Sequence, residues 1–147
     1  MIEHEGKFYV FGGQGNEKNQ LLVIDHSNWN TKYVNTPFHH SLESHTAVKY
    51  LQENGDATML VSGGFTESGI NMDLIIYNIT KNEWQLKING IGAVSRSSHS
   101  AVIFNSEMIV FGGINENESR INDVWSLNLK TYEWKQIVTK NAPKVLL

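Results

Sequence analysis

The sequence predicts an all-β fold in which a four-stranded unit is repeated about three times. Three short apolar stretches each run into a pair of glycines, and the first glycines of these pairs are Gly12, Gly63 and Gly112. Their spacings of 51 and 49 residues match a structural repeat of roughly 50 residues. Two of the repeats also share a Ser-His segment before the glycines and an Asp-to-Trp segment after them.

A strand is predicted to run into each glycine pair. Residues 8–13 read Phe-Tyr-Val-Phe-Gly-Gly, residues 59–64 Met-Leu-Val-Ser-Gly-Gly, and residues 108–113 Met-Ile-Val-Phe-Gly-Gly. Their β-branched and aromatic residues favour strands. We expect the glycines to end the strand, where a bulky side chain would obstruct close packing or a bend with positive φ.

The other landmarks keep the same phase. Residues 44–48 read Ser-His-Thr-Ala-Val, and residues 98–102 read Ser-His-Ser-Ala-Val. After the second and third glycine pairs comes an aspartate, Asp73 or Asp123, with a tryptophan eleven residues further on. The tryptophans offer large apolar surfaces between neighbouring units. In the third repeat we expect strands at about 99–104, 107–112, 123–129 and 133–138. The predicted structural landmarks are Gly12, Gly13, His45, Gly63, Gly64, Asp73, Trp84, His99, Gly112, Gly113, Asp123 and Trp134.

These landmarks resemble the kelch repeat, and specifically its Arg/Ser-x-x-His variety. The fullest match is residues 95–99, Ser-Arg-Ser-Ser-His. The resemblance covers nearly the whole chain and implies a β-propeller built from four-stranded blades, whose usual role is protein–protein interaction as a substrate adaptor or scaffold. It implies blades at about 1–36, 44–89 and 98–139.

The first repeat departs from the pattern. Asn19-Gln20 stands where the third repeat has Asn122-Asp123, and Trp29 and Tyr33 both fall near the slot of the late tryptophan. Its inner strand is shortened to about residues 1–4. Three blades cannot close a propeller ring of four to eight, so we expect a partial propeller with two open, apolar blade faces. Three explanations stay open. The chain is a piece of a longer propeller, it pairs with another chain to complete a ring, or it is a degenerate arc without independent function.

Composition excludes several classes of function. The 147 residues carry a net charge of −3 without a basic patch, so nothing indicates nucleic-acid binding. No apolar run approaches the length of a membrane span. Cysteine is absent, which excludes disulfides and thiolate metal sites and fits an intracellular protein, cytoplasmic or nuclear.

Catalytic chemistry finds little support. His39, His40 and His45 form the densest histidine cluster, but their spacing fits no helical metal motif, and we predict neither metal nor cofactor. No complete phosphate-binding loop or nucleophile elbow is present. Copper oxidases with kelch-like blades use a cysteine-linked tyrosine, which this chain cannot form. A sugar-modifying enzyme formed only in a completed ring stays the alternative to a non-catalytic binding module.

The interaction hypothesis rests on the loops after the second strands and between blades. Loops held by a rigid scaffold commonly carry binding residues, and arginine and aromatic residues are common hot spots. For Arg96 we prefer a structural role between blades over direct partner contact. The candidate contact residues are Asn16, Lys18, Phe38, His39, Thr66, Glu67, Arg96, Asn115 and Asn117.

Overall fold

The computed structural model describes residues 1–14, 20–38, 41–88 and 95–141, and within these ranges all regular structure is β-strand. The first sheet contains four antiparallel strands in chain order. These are β1 (Ile2–His4), β2 (Lys7–Phe11), β3 (Leu21–Asp25) and β4 (Thr31–Val34).

The second sheet repeats this meander and adds a small hairpin. Its four strands pair in chain order as an antiparallel sheet. They are β5 (Thr46–Leu51), β6 (Ala57–Ser62), β9 (Asp73–Asn78) and β10 (Glu83–Ile88). The hairpin of β7 (Phe65–Thr66) and β8 (Gly69–Ile70) lies between β6 and β9 along the chain.

The third sheet has five strands because two separate segments pair with one long strand. Both β11 and β12 pair with β13, which is followed by β14 and β15. The strands are β11 (Arg96–Ser97), β12 (Ser100–Phe104), β13 (Glu107–Asn115), β14 (Arg120–Asn128) and β15 (Trp134–Ile137).

Among the described residues, two apolar cores lie between the three large sheets. Every residue of β6 is buried, because its alternate side chains point to opposite faces of the sheet and both faces are covered. Met59 and Val61 belong to the core shared with the first sheet, whereas Leu60 belongs to the core shared with the third. Stacking therefore buries both faces of the central sheet, which a single sheet could not do alone.

The structure confirms the predicted all-β fold and refines its strands. The first two glycine pairs follow directly after β2 and β6, as predicted, and β1 matches the expected short inner strand. In the third sheet the prediction was wrong, because β13 continues through its glycines to Asn115. A register shift between Phe111 and Gly113 accommodates the pair as a bulge. The division into blades at 1–36, 44–89 and 98–139 stays a prediction.

Candidate interaction surface

The connections that carry most predicted contact residues meet at one end of the sheets. Ser62 pairs with Thr46 and with Leu74, so β5 begins, β6 ends and β9 begins at the same end of the second sheet. The third sheet has the same arrangement around Phe111. We call this end the loop end, comprising residues 12–14, 35–38, 41–45, 63–72, 95–99 and 113–119.

A histidine wedged between two glycine pairs joins neighbouring sheets at the loop end. A Cβ atom on Gly63 would lie 2.7 Å from His99 Cε1, and one on Gly113 would lie 2.9 Å from His99 Cβ. His45 is held in the same way between Gly12 and Gly64. Gly12 and Gly63 thus receive the histidine of the next sheet, whereas Gly64 and Gly113 receive the histidine of their own sheet. A larger residue would push the sheets apart.

His99 also forms hydrogen bonds across the second and third sheets. Its Nε2 lies 2.7 Å from Thr46 Oγ1 and 3.2 Å from Ser62 Oγ. Burial, with a smaller contribution from the positive charge of Arg96, lowers the pKa of His99 to about 4. The imidazole is therefore neutral at physiological pH and serves as a polar link between two sheets.

Arg96 is a buried structural residue. Its side chain is 1% exposed, and its guanidinium donates to both carboxylate oxygens of Asp123, at 2.7 and 3.2 Å, and to the carbonyl of Gly112. Trp125 Nε1 donates to the same carboxylate at 2.7 Å. Such a bidentate pair is held rigidly, so Arg96 has almost no surface to offer a partner.

Trp84 joins the first and second sheets in the manner expected of the repeat tryptophan. Its Nε1 donates to the backbone carbonyl of Asn35 at 3.0 Å. Its ring lies 4.6 Å from that of Tyr77 and 5.5 Å from that of Phe11, measured between centroids. The hydrogen bond and the aromatic cluster hold Asn35 against the second sheet at the loop end.

The turns that follow β6 and β13 present polar side chains to solvent. Glu67 and Asn117 are exposed at the tips of these turns. Thr66 Oγ1 accepts from the backbone N–H of Ser68 at 3.2 Å, and Asn115 Oδ1 accepts from the backbone N–H groups of Asn117 and Ser119. Thr66 and Asn115 therefore hold the turns in shape while Glu67 and Asn117 extend from them.

Comparison with known proteins decides the family. The model of the KLHDC2/KLHL20/DRC7 Kelch-repeats domain matches residues 1–145. This chain belongs to the kelch-repeat family. The glycine–histidine wedges and the inter-sheet tryptophan are thus features of kelch blades, and the resemblance stated from the sequence is confirmed.

Individual relatives agree with this assignment. The chain is 27% identical over 150 residues to acyl-CoA-binding domain-containing protein 5 of Arabidopsis thaliana, covering 95% of the chain and 23% of that protein. It is 29% identical over 154 residues to the host cell factor homolog hcf-1 of Caenorhabditis elegans, covering 89% of the chain and 19% of that protein. The kelch chain thus spans about a fifth of the length of these relatives.

The remaining predicted contact residues differ in how far they face solvent. Phe38 is partly buried, and its ring lies 5.6 Å from that of Trp84, so it packs against the first core more than it projects outward. Asn16, Lys18 and His39 lie outside the described residues. The contact role of the whole set stays a prediction for this kelch domain.

Metal-ligand clusters and membrane-spanning helices are both recognised by their residues. No group of three or more His, Asp or Glu side chains in the described part of the kelch chain could hold a metal ion. No helix within the described ranges is long and apolar enough to cross a membrane.

Three loop-end residues of the kelch blades were not predicted from the sequence. Leu42 holds the position in the second blade that Arg96 holds in the third, since Gly13 N–H donates to the carbonyl of Leu42 as Gly64 N–H does to that of Arg96. Asn71 and Trp125 also form hydrogen bonds there. Leu42 could have been found by aligning residues 41–45 with 95–99, whereas Asn71 and Trp125 gave no repeated signal.

Proposed function

We propose that this kelch domain is a non-catalytic protein-interaction module that contacts its partners through the loop end. The observation that carries the proposal is the exposure of Glu67 and Asn117 at the tips of two turns that the scaffold holds in place. Family members generally serve as protein-interaction domains, and binding commonly lies on loops fixed by a rigid scaffold.

The predicted contact residues contribute to this surface in different ways. Glu67 and Asn117 offer exposed polar groups, while Thr66 and Asn115 keep their turns ready for binding. Asn16, Lys18 and His39 belong to the proposed surface by their place in the sequence. Phe38 and Arg96 support it from beneath, because both pack or pair within the chain.

Selection of binding peptides tests the proposal. A phage-displayed peptide library is panned on the immobilised 147-residue chain, and the dissociation constant of an enriched peptide is measured by fluorescence anisotropy. We expect Glu67→Ala or Asn117→Ala to weaken binding at least tenfold, and Glu107→Ala, an exposed glutamate at the opposite end of the third sheet, to leave it unchanged. Enrichment of no peptide, or equal effects of all three variants, would contradict the proposal.

We propose further that the outward face of the third sheet packs against another kelch blade, from the same or another polypeptide. Val102, Phe104 and Phe111 are 58%, 65% and 42% exposed. Val102 pairs with Ile109, and Phe111 with Val124, so these side chains share the face opposite the second core. Exposed apolar patches of this kind mark interaction surfaces.

The broader role that we propose is that of an intracellular adaptor or scaffold. The absence of cysteine supports an intracellular location, and the relatives include Kelch-like protein 40 of Xenopus tropicalis, 26% identical over 151 residues, which cover 94% of the chain and 23% of that protein. The chain spans only about a fifth of the length of such relatives. The adaptor or scaffold role of any longer protein that contains this chain is therefore proposed as well.

A further inference from the structure

Two aspartates hold equivalent positions in the second and third blades but have different surroundings. Asp73 begins β9, and Asp123 lies in β14, each ten or eleven residues after its glycine pair begins. The carboxylate of Asp123 receives three hydrogen bonds, two from Arg96 and one from Trp125. This set of donors shows what the blade framework provides for a carboxylate at this position.

The described residues of the second blade provide none of these three donors. Leu42 stands at the position of Arg96, and Ile75 at that of Trp125, and both are buried in the first core. The carboxylate of Asp73 receives no hydrogen bond and forms no ion pair with any residue that the structure describes. Asn71 Nδ2 donates to the carbonyl of Gly63 at 3.2 Å, replacing the bond from Arg96 to Gly112, but does not reach the carboxylate.

The pKa values of the two carboxylates shift in opposite directions, in agreement with this difference in their hydrogen bonds. Burial raises the pKa of Asp73 above its usual value. Burial acts on Asp123 as well, but the hydrogen bonds from Arg96 and Trp125 outweigh it and leave the pKa of Asp123 below its usual value. Asp73 is thus a half-buried carboxylate whose desolvation is not compensated by any residue in the described part of the chain.

We propose that Asp73 is the acceptor for an arginine side chain of a partner protein at the loop end. The third blade shows that this framework holds a guanidinium in bidentate contact with the equivalent carboxylate. A guanidinium fork matches a carboxylate better than an ammonium group does. Met72, exposed next to Asp73, offers apolar surface for the arginine stem. The biological role of this site rests on the proposed function, because it lies beside the turn that carries Glu67.

Titration with small probes tests the site without a known partner. The ¹⁵N-labelled chain is titrated with Nα-acetyl-arginine amide and with its uncharged isostere Nα-acetyl-citrulline amide, and amide chemical shifts are followed by NMR. We expect saturable shifts centred on residues 71–75 with the arginine probe and at least tenfold weaker binding of the citrulline probe. Asp73→Asn should abolish the shifts, and its unchanged remaining spectrum would show that the variant is folded.

Asp25→Asn is the matched control, because Asp25 is a carboxylate whose oxygen already accepts from Ser27. This variant should bind the arginine probe as the original chain does. The proposal is overturned if the probes bind equally, if Asp73→Asn binds as well as the original chain, or if no saturable shift occurs. Failure here, together with peptide binding that still depends on Glu67 and Asn117, would refute the arginine site and leave the proposed function standing.

Discussion

The guanidinium of Arg96 and the carboxylate of Asp123 form a bidentate ion pair in which the arginine is almost completely buried. Breaking such a pair leaves a buried charge without its partner. We expect Asp123→Asn to lower the free energy of unfolding by about 3 kcal/mol, measured by chemical denaturation. Adding Arg96→Leu should recover part of this loss, since Leu42 is accommodated at the equivalent backbone position. Additive losses in the double variant would contradict a specific pairing.

The same substitution at Asp73 should not lower the free energy of unfolding. Because burial raises the pKa of Asp73 and no described donor compensates, the ionised carboxylate opposes folding at neutral pH. We expect Asp73→Asn to leave stability unchanged or raise it by up to about 0.5 kcal/mol. Denaturation at pH 7, beside Asp123→Asn, checks this contrast. A loss comparable to that of Asp123→Asn would show that Asp73 has a stabilising partner.

Gly63 provides a test of the contact between the second and third blades. Its φ is +63°, and a Cβ atom would overlap the carbonyl oxygen of Arg96. We expect Gly63→Ala to destabilise the chain by about 2 kcal/mol more than Gly55→Ala does. Gly55 is the control, since its φ is +87° but no atom lies within 4 Å of its Cβ position. Equal losses of stability would indicate that backbone strain alone matters.

The lowered pKa of His99 leads us to expect a loss of stability in mild acid. The folded chain holds the pKa of His99 near 4 through burial, whereas the unfolded chain binds the proton near the usual 6.5, so acid favours unfolding. Stability should fall by about 2 kcal/mol between about pH 6.5 and 5, and burial of His45 adds a shift of the same sign. Urea denaturation across this range measures the slope. The slope of stability against pH should decrease in His99→Gln. It should persist in the control His26→Gln, because His26 is exposed. A slope unchanged by His99→Gln would contradict the assignment.

The outward face of the third sheet predicts measurable association with another blade. Phe104→Lys places a charge on this face at a residue that makes no core contact. We expect the original chain to associate with itself or with added kelch blades at high concentration, and the variant to do so at least tenfold more weakly. Sedimentation velocity provides the measurement, with Leu51→Lys, another exposed apolar residue, as the control. Equal behaviour of both variants would argue against a specific face.

The sequence carried enough information to predict the blades but not the loop-end chemistry. Gly63, His99 and Trp84 have counterparts at the same positions of other repeats, because similar contacts form between neighbouring sheets and require the same residue types. The donors around Asp123 lie on separate segments and meet only in three dimensions. Among the described residues Asp73 has no such donor, because Leu42 and Ile75 stand where the third blade has Arg96 and Trp125, and a missing donor leaves no repeated pattern in the sequence.

The predicted strand end at Gly112 was wrong because the sequence does not distinguish a strand end from a bulge. A glycine pair permits positive φ, but a bulge can use the same freedom to continue a strand. The outcome depends on whether β14 extends far enough to pair beyond the bulge, as it does through Ile121 and Arg120.

Amide chemical-shift mapping of a selected peptide on the labelled chain tests the central claim most directly. If the loop end is the binding surface, the largest shifts will fall in residues 63–72 and 113–119, and Glu67→Ala will remove them. Shifts concentrated at the opposite end of the sheets, in residues 52–56, 79–82 and 105–107, would contradict the claim.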